Sequence, residues 1–161
     1  MYILIIIIIL GLSYSVFVYL KTGIREEGIV VCEAGKCFLA PGDIHVQIEI
    51  DVCGEQLNLP LDTGPTDGLN THKERNLIHF EGTLEIDPLS KEIIDKTPLL
   101  LKTFFAVVEM RFTKECIADT CNNDVCNGKP GALKMWVNGE ANNEFQSYGW
   151  KDDDSILIKF E

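Results

Sequence analysis

Basic side chains are scarce in this chain: 14 Lys and Arg stand against 25 Asp and Glu, a formal net charge of −11 at pH 7. They are also scattered, so no basic patch is offered to a nucleic acid or to an anionic lipid surface. Histidine is scarcer still, with three residues in 161, and all of them (His45, His72 and His79) fall within one short stretch. No C-x-x-C occurs, which leaves thioredoxin-like exchange without its motif. No G-x-S-x-G marks a hydrolase nucleophile, and no N-x-S/T sequon is present. Repeats and low-complexity tracts are absent beyond the first twenty residues.

Those first residues, "MYILIIIIILGLSYSVFVYL", are apolar from Tyr2 to Leu20 apart from Ser13 and Ser15. About 19 helical residues reach across roughly the 30 Å of a bilayer core. Residues 1–21 are therefore expected to be a single-pass transmembrane helix and anchor. A cleaved signal peptide is the rival reading, with Ser13 and Ser15 as the small residues before the cut. Against it, no Lys or Arg precedes the run, which continues past Ser15 to Leu20. Lys21 and Arg25 follow the span, and the positive-inside rule alone would keep the rest of the chain in the cytoplasm. The six cysteines, an even number, point the other way, to an oxidising compartment. The expected localisation is a membrane-tethered domain outside the cytoplasm, and the expected partner a protein in or at the membrane.

Residues 22–43, with turn-formers and the Cys32-x4-Cys37 pair, read as a stalk or linker. Residues 44–161 are long enough for one core and form the globular domain. In "IHVQIEIDV", Ile44, Val46, Ile48 and Ile50 alternate with His45, Gln47, Glu49 and Asp51, a strand with one wet face. "CGEQ" turns it into a short second strand. "DTGPTDGLNTHKERN" is loop chemistry throughout, and "LIHFEGTLEI" resumes alternation, with His79 and Glu81 on the polar side. In "KTPLLLKTFFAVVEM", Thr97 is a candidate cap, Pro98 suits the first helical position, and Leu100, Phe104, Val107 and Val108 recur at helical spacing. A cysteine-bearing loop covers 111–131, followed by the strands "ALKMWVNG" and "SILIKFE". The expected class is α+β: a mixed β-sheet with one main helix packed on one face, β-grasp-like.

Three stretches resemble a family of uncharacterised, membrane-anchored, extracytoplasmic microbial proteins common in archaea. There one strand carries H-x-H, a loop H-T-H-D, and the next strand I-H-x-E. Here "IHVQ" has His45 with Gln47 at the second place, and "NTHK" has His72 between Asn70 and Lys73 in place of His and Asp. "IHFE" has both His79 and Glu81. "LLLKTFF" and the tail from Lys134 to Glu161 also resemble that family, whose ending is β-grasp-like. The resemblance implies a fold more than an activity.

If the strands at 44–52 and 77–86 are neighbours, His45, Gln47, Glu49, His79 and Glu81 share one face, and the intervening loop brings His72 over it. Three neutral imidazoles with a carboxylate suit one copper or zinc ion, so the metal candidates are His45, His72, His79 and Glu81. The alternative is that these are ordinary polar-face residues, and Lys73 beside His72 opposes a bound cation. No nucleophile accompanies them, so no catalytic residue is assigned and the leading expectation is a binding or assembly module rather than an enzyme. A metal-binding protein is second, and a small metal-dependent enzyme third. Cys32, Cys37, Cys53, Cys116, Cys121 and Cys126 are disulfide candidates, with Cys32–Cys37 the most local pairing. Asp119, Asn122, Asn123 and Asp124 do not have the spacing of an EF-hand loop, and Asp152, Asp153 and Asp154 read as a tight acidic turn.

Overall fold

The computed structural model describes residues 28–161. Within them fourteen strands carry the architecture: β1 (Ile29–Glu33), β2 (Lys36–Ala40), β3 (Ile44–Val52), β4 (Glu55–Leu57), β5 (Leu69–Asn70), β6 (Leu77–Phe80), β7 (Leu84–Ile86), β8 (Cys116–Ile117), β9 (Thr120–Cys121), β10 (Val125–Cys126), β11 (Lys129–Pro130), β12 (Leu133–Val137), β13 (Glu140–Ala141) and β14 (Asp154–Phe160). The α+β, β-grasp-like expectation with one main helix is overturned. The described residues are mostly sheet, and their single α-helix, α1 (Leu101–Val107), has 7 residues.

The physical reason lies at both ends of that helix. Thr97 and Pro98 open a separate 3-10 turn, Thr97–Leu99, whose Thr97 is not its cap: Asp95 Oδ1 accepts the Thr97 N–H at 2.9 Å. Leu100 is then extended (φ −87°, ψ 139°) before α1 begins. At the far end Glu109 takes a left-handed φ of 54°. Met110 N–H bonds the Phe105 carbonyl at 2.9 Å and Glu109 N–H that of Ala106 at 3.2 Å, a Schellman stop built without glycine. A helix of two turns is marginal by itself. It holds because Leu101, Phe104 and Phe105 are buried, each contributing roughly 1.5–3 kcal/mol.

The main sheet runs β13-β12-β14-β3-β6-β5, with β4 also on β3. β14 lies parallel to β3, Asp154 to Phe160 beside Val46 to Val52, and its other neighbour β12 is antiparallel. Alternation places Val46, Ile48 and Ile50 of β3, Ile156, Ile158 and Phe160 of β14, and Leu133, Met135 and Val137 of β12 in one core, with α1 and Trp150 against them. Four hairpins turn on two residues of positive φ, the second a glycine each time: Ala34-Gly35, Cys53-Gly54, Asn127-Gly128 and Asn138-Gly139. That is the turn whose twist matches paired strands.

The expected stalk is structured from Ile29 onward. β1 and β2 form a hairpin whose second strand pairs with β7, giving a small separate sheet. Its inner side chains, Cys37, Leu84 and Ile86, are buried, while Ile29, Val30 and Val31 of the edge strand β1 are exposed. Three disulfides are present: Cys32–Cys37 within this hairpin, Cys116–Cys121 between β8 and β9, and Cys53–Cys126 across 73 residues. Trp150 is core. No helix among the described residues is long and apolar enough to cross a membrane; the expected anchor, residues 1–21, lies outside them.

Candidate metal centre

β3 and β6 are neighbours, and their register puts His45 directly opposite His79. β5 extends the same rung on the other side, with Asn70 opposite His79. Directly opposed residues point to the same face of a sheet, so His45, His79 and Asn70 form a row across three strands. The sequence pattern places His79 on a wet face. In the fold it is 5% exposed, because His45 and His72 cover it, their rings edge-on to its own at centroid distances of 4.8 and 4.4 Å.

Asp43 joins this row. It stands two residues ahead of His45, just before β3 begins. Its carboxylate lies 2.9 Å from His45 Nε2 and 3.2 Å from His79 Nδ1. One ligand atom from each of Asp43, His45 and His79 falls within 4.8 Å of the others.

His72 and Glu81 are nearby but outside this triad. His72 Nε2 is 3.5 Å from Glu81 Oε2, and the same oxygen accepts the Asn70 amide at 2.8 Å. That bond holds the Glu81 carboxyl below its ordinary value; partial burial works against it, and the charge of the neighbouring His72 assists it. Gln47 donates to the Asn76 carbonyl instead of reaching the histidines, and Glu49 lies past Gln47, where the pairing of β3 with β6 has ended.

The loop that delivers His72 is built, not slack. Thr71 N–H donates to the Thr63 carbonyl at 2.8 Å, and its hydroxyl donates to Pro60 O at 2.7 Å. Gly64 (φ +102°) permits the closure, since a Cβ there would lie 2.3 Å from the Leu69 carbonyl oxygen. On the opposite side the acidic turn fixes His45. Asp152 Oδ1 accepts the His45 N–H at 2.9 Å, and the His45 carbonyl accepts Asp153 N–H at 2.9 Å. The three histidines, Leu77 and the charged Asp62, Lys73 and Glu74 line an open depression of about 460 Å³.

Sequence reasoning brought together His45, His79 and the covering His72, but missed Asp43, which follows the turn-forming Pro41-Gly42 and so read as linker. Its signal was the same two-residue spacing that defines the wet face of β3. Asn70, a buried member of the rung, was also passed over as a functional residue. No family model, curated protein or solved structure matches the chain, so the family resemblance rests on its short motifs alone.

Proposed function

We propose that this is an extracytoplasmic, membrane-tethered domain that binds one zinc or copper ion through Asp43, His45 and His79. The observation that carries the reading is the convergence of two imidazoles and a carboxylate to within 4.8 Å of one another. Two nitrogens and an oxygen suit Zn²⁺ or Cu²⁺ and leave a position of a four-coordinate shell open toward the depression. Acidic neighbours favour a cation there, and only Lys73 among the lining residues opposes it. Oxidised cysteines support the compartment, because disulfides persist outside the reducing cytosol. The test is calorimetric titration of the oxidised, metal-stripped full chain in detergent, without a histidine tag, with Zn²⁺ and Cu²⁺. One ion per chain is expected, with at least tenfold weaker binding in His45→Ala and His79→Ala. A silent titration with both metals overturns the reading.

A further inference from the structure

Two buried side-chain atoms in the rung have no hydrogen-bond partner: His79 Nε2 and Asn70 Oδ1. Their residues face each other across β5 and β6 and are 5% and 2% exposed. The Asn70 amide orientation is fixed by its donors, since Nδ2 gives hydrogen bonds to Pro65 O at 3.1 Å and Glu81 Oε2 at 2.8 Å. Oδ1 is therefore the atom left over, an acceptor without a donor.

A ring that ligates a metal is neutral, and its one proton sits on the nitrogen that does not ligate. Nδ1 of His79 is the nitrogen turned to Asp43, at 3.2 Å, so ligation through Nδ1 would leave the proton on Nε2. That nitrogen is buried without a partner, as is Oδ1 of Asn70 directly across the rung, and the two are not hydrogen-bonded to each other in this structure. Leaving both unpaired is unfavourable, and closing that contact would satisfy a buried donor and a buried acceptor together.

We propose that Asn70 is the positioning residue of the metal site, accepting Nε2–H of His79 and thereby fixing the ring in the tautomer that ligates through Nδ1. The inference rests on the metal-binding reading and adds which nitrogen of His79 faces the ion and what orients it. Outer partners of this kind hold a ligating histidine in register and typically change affinity by about 10–100-fold. The Asn70 amide then passes the contact on to Glu81, and through it to His72, so both remaining site candidates act behind the ligands.

The experiment is a long-range ¹H–¹⁵N correlation on the ¹⁵N-labelled full chain in detergent, with and without one equivalent of Zn²⁺, alongside Zn²⁺ affinities of wild type and Asn70→Leu. On adding Zn²⁺, His79 is expected to show a protonated, slowly exchanging Nε2 and a metal-shifted Nδ1. Asn70→Leu is expected to weaken Zn²⁺ binding at least tenfold. Zn²⁺ binding with the proton still on Nδ1 overturns this inference and leaves the metal site standing. Equal affinity in Asn70→Leu does the same. Absence of binding by the wild type removes both. The tautomer is read in the wild-type chain, so the outcome stands even where Asn70→Leu does not fold.

Discussion

Two buried polar clusters sit in the same sheet, and only one of them is complete. Asp154, at the start of β14, accepts Asn138 Nδ2 at 2.8 Å, the Tyr148 hydroxyl at 2.8 Å and Lys151 N–H at 2.8 Å. Each oxygen has a donor and the chain needs nothing further there. In the histidine rung His79 and Asn70 are as buried as Asp154, yet His79 Nε2 and Asn70 Oδ1 have no partners. A complete network is a structural device, whereas an incomplete one of metal-ligating types is poised for something that completes it. The difference separates the buried carboxylate of Asp154, which shapes a turn, from the exposed carboxylate of Asp43, which belongs to the proposed ion site.

The comparison is broken most severely at the complete cluster. Asp154→Ala leaves three donors unpaired around a buried site and is expected to lower stability by roughly 3 kcal/mol or more, read from urea unfolding of the oxidised protein. An unchanged midpoint would show that the cluster is not the structural member of the pair. At the rung the sign reverses on adding an ion. Zn²⁺ at about 100 times its dissociation constant should stabilise the fold by about 2.7 kcal/mol. The gain should vanish in His79→Ala while Asp154 and its partners are untouched; equal gains in both proteins would place the ion elsewhere.

The smallest effect sharpens the contrast through pH. Burial, and then the hydrogen bond to Asp154, push the Tyr148 phenol well above its ordinary value of 10.0. A folded pKa raised in this way contributes stability that is fully present below the unfolded value and lost as pH rises through the folded one. Strong alkali should therefore loosen the Asp154 turn first, and Tyr148→Phe, costing about 1 kcal/mol at neutral pH, should remove that alkaline step. Hydrogen exchange at Ser155 and Lys151 would follow it, and an alkaline step that survives in Tyr148→Phe would assign it to another group.

How much of this was legible from residues depended on period and distance. The alternation of "IHVQIEI" gave β3 and its wet face, and the same reasoning paired it with β6 and brought His72 over the pair. Cys53-Gly54 and Asn138-Gly139 announced their turns because a left-handed pair of residues favours glycine at its second place. The helix was overread because its stop at Glu109 uses a left-handed residue other than glycine and leaves no mark in the sequence. The hairpin of residues 29–40 was hidden by its own turn-formers, which read equally well as a linker. Asn70 looked like a loop residue because the strand that buries it is two residues long and its meaning lies across the sheet.

One contact also bears on the order of events as the chain is made. The backbone N–H of His45 is held by Asp152, 107 positions later, and β3 gains its parallel neighbour only when β14, ending at Phe160, is in place. Long-range pairing of this kind is slow to form. During synthesis the histidine-bearing strands emerge long before the segment that clamps them, so the proposed ion site gains its full framing only once Asp152 and β14 have been made. A chain cut short before Asp152 would carry every proposed ligand yet lack the clamp that orients His45.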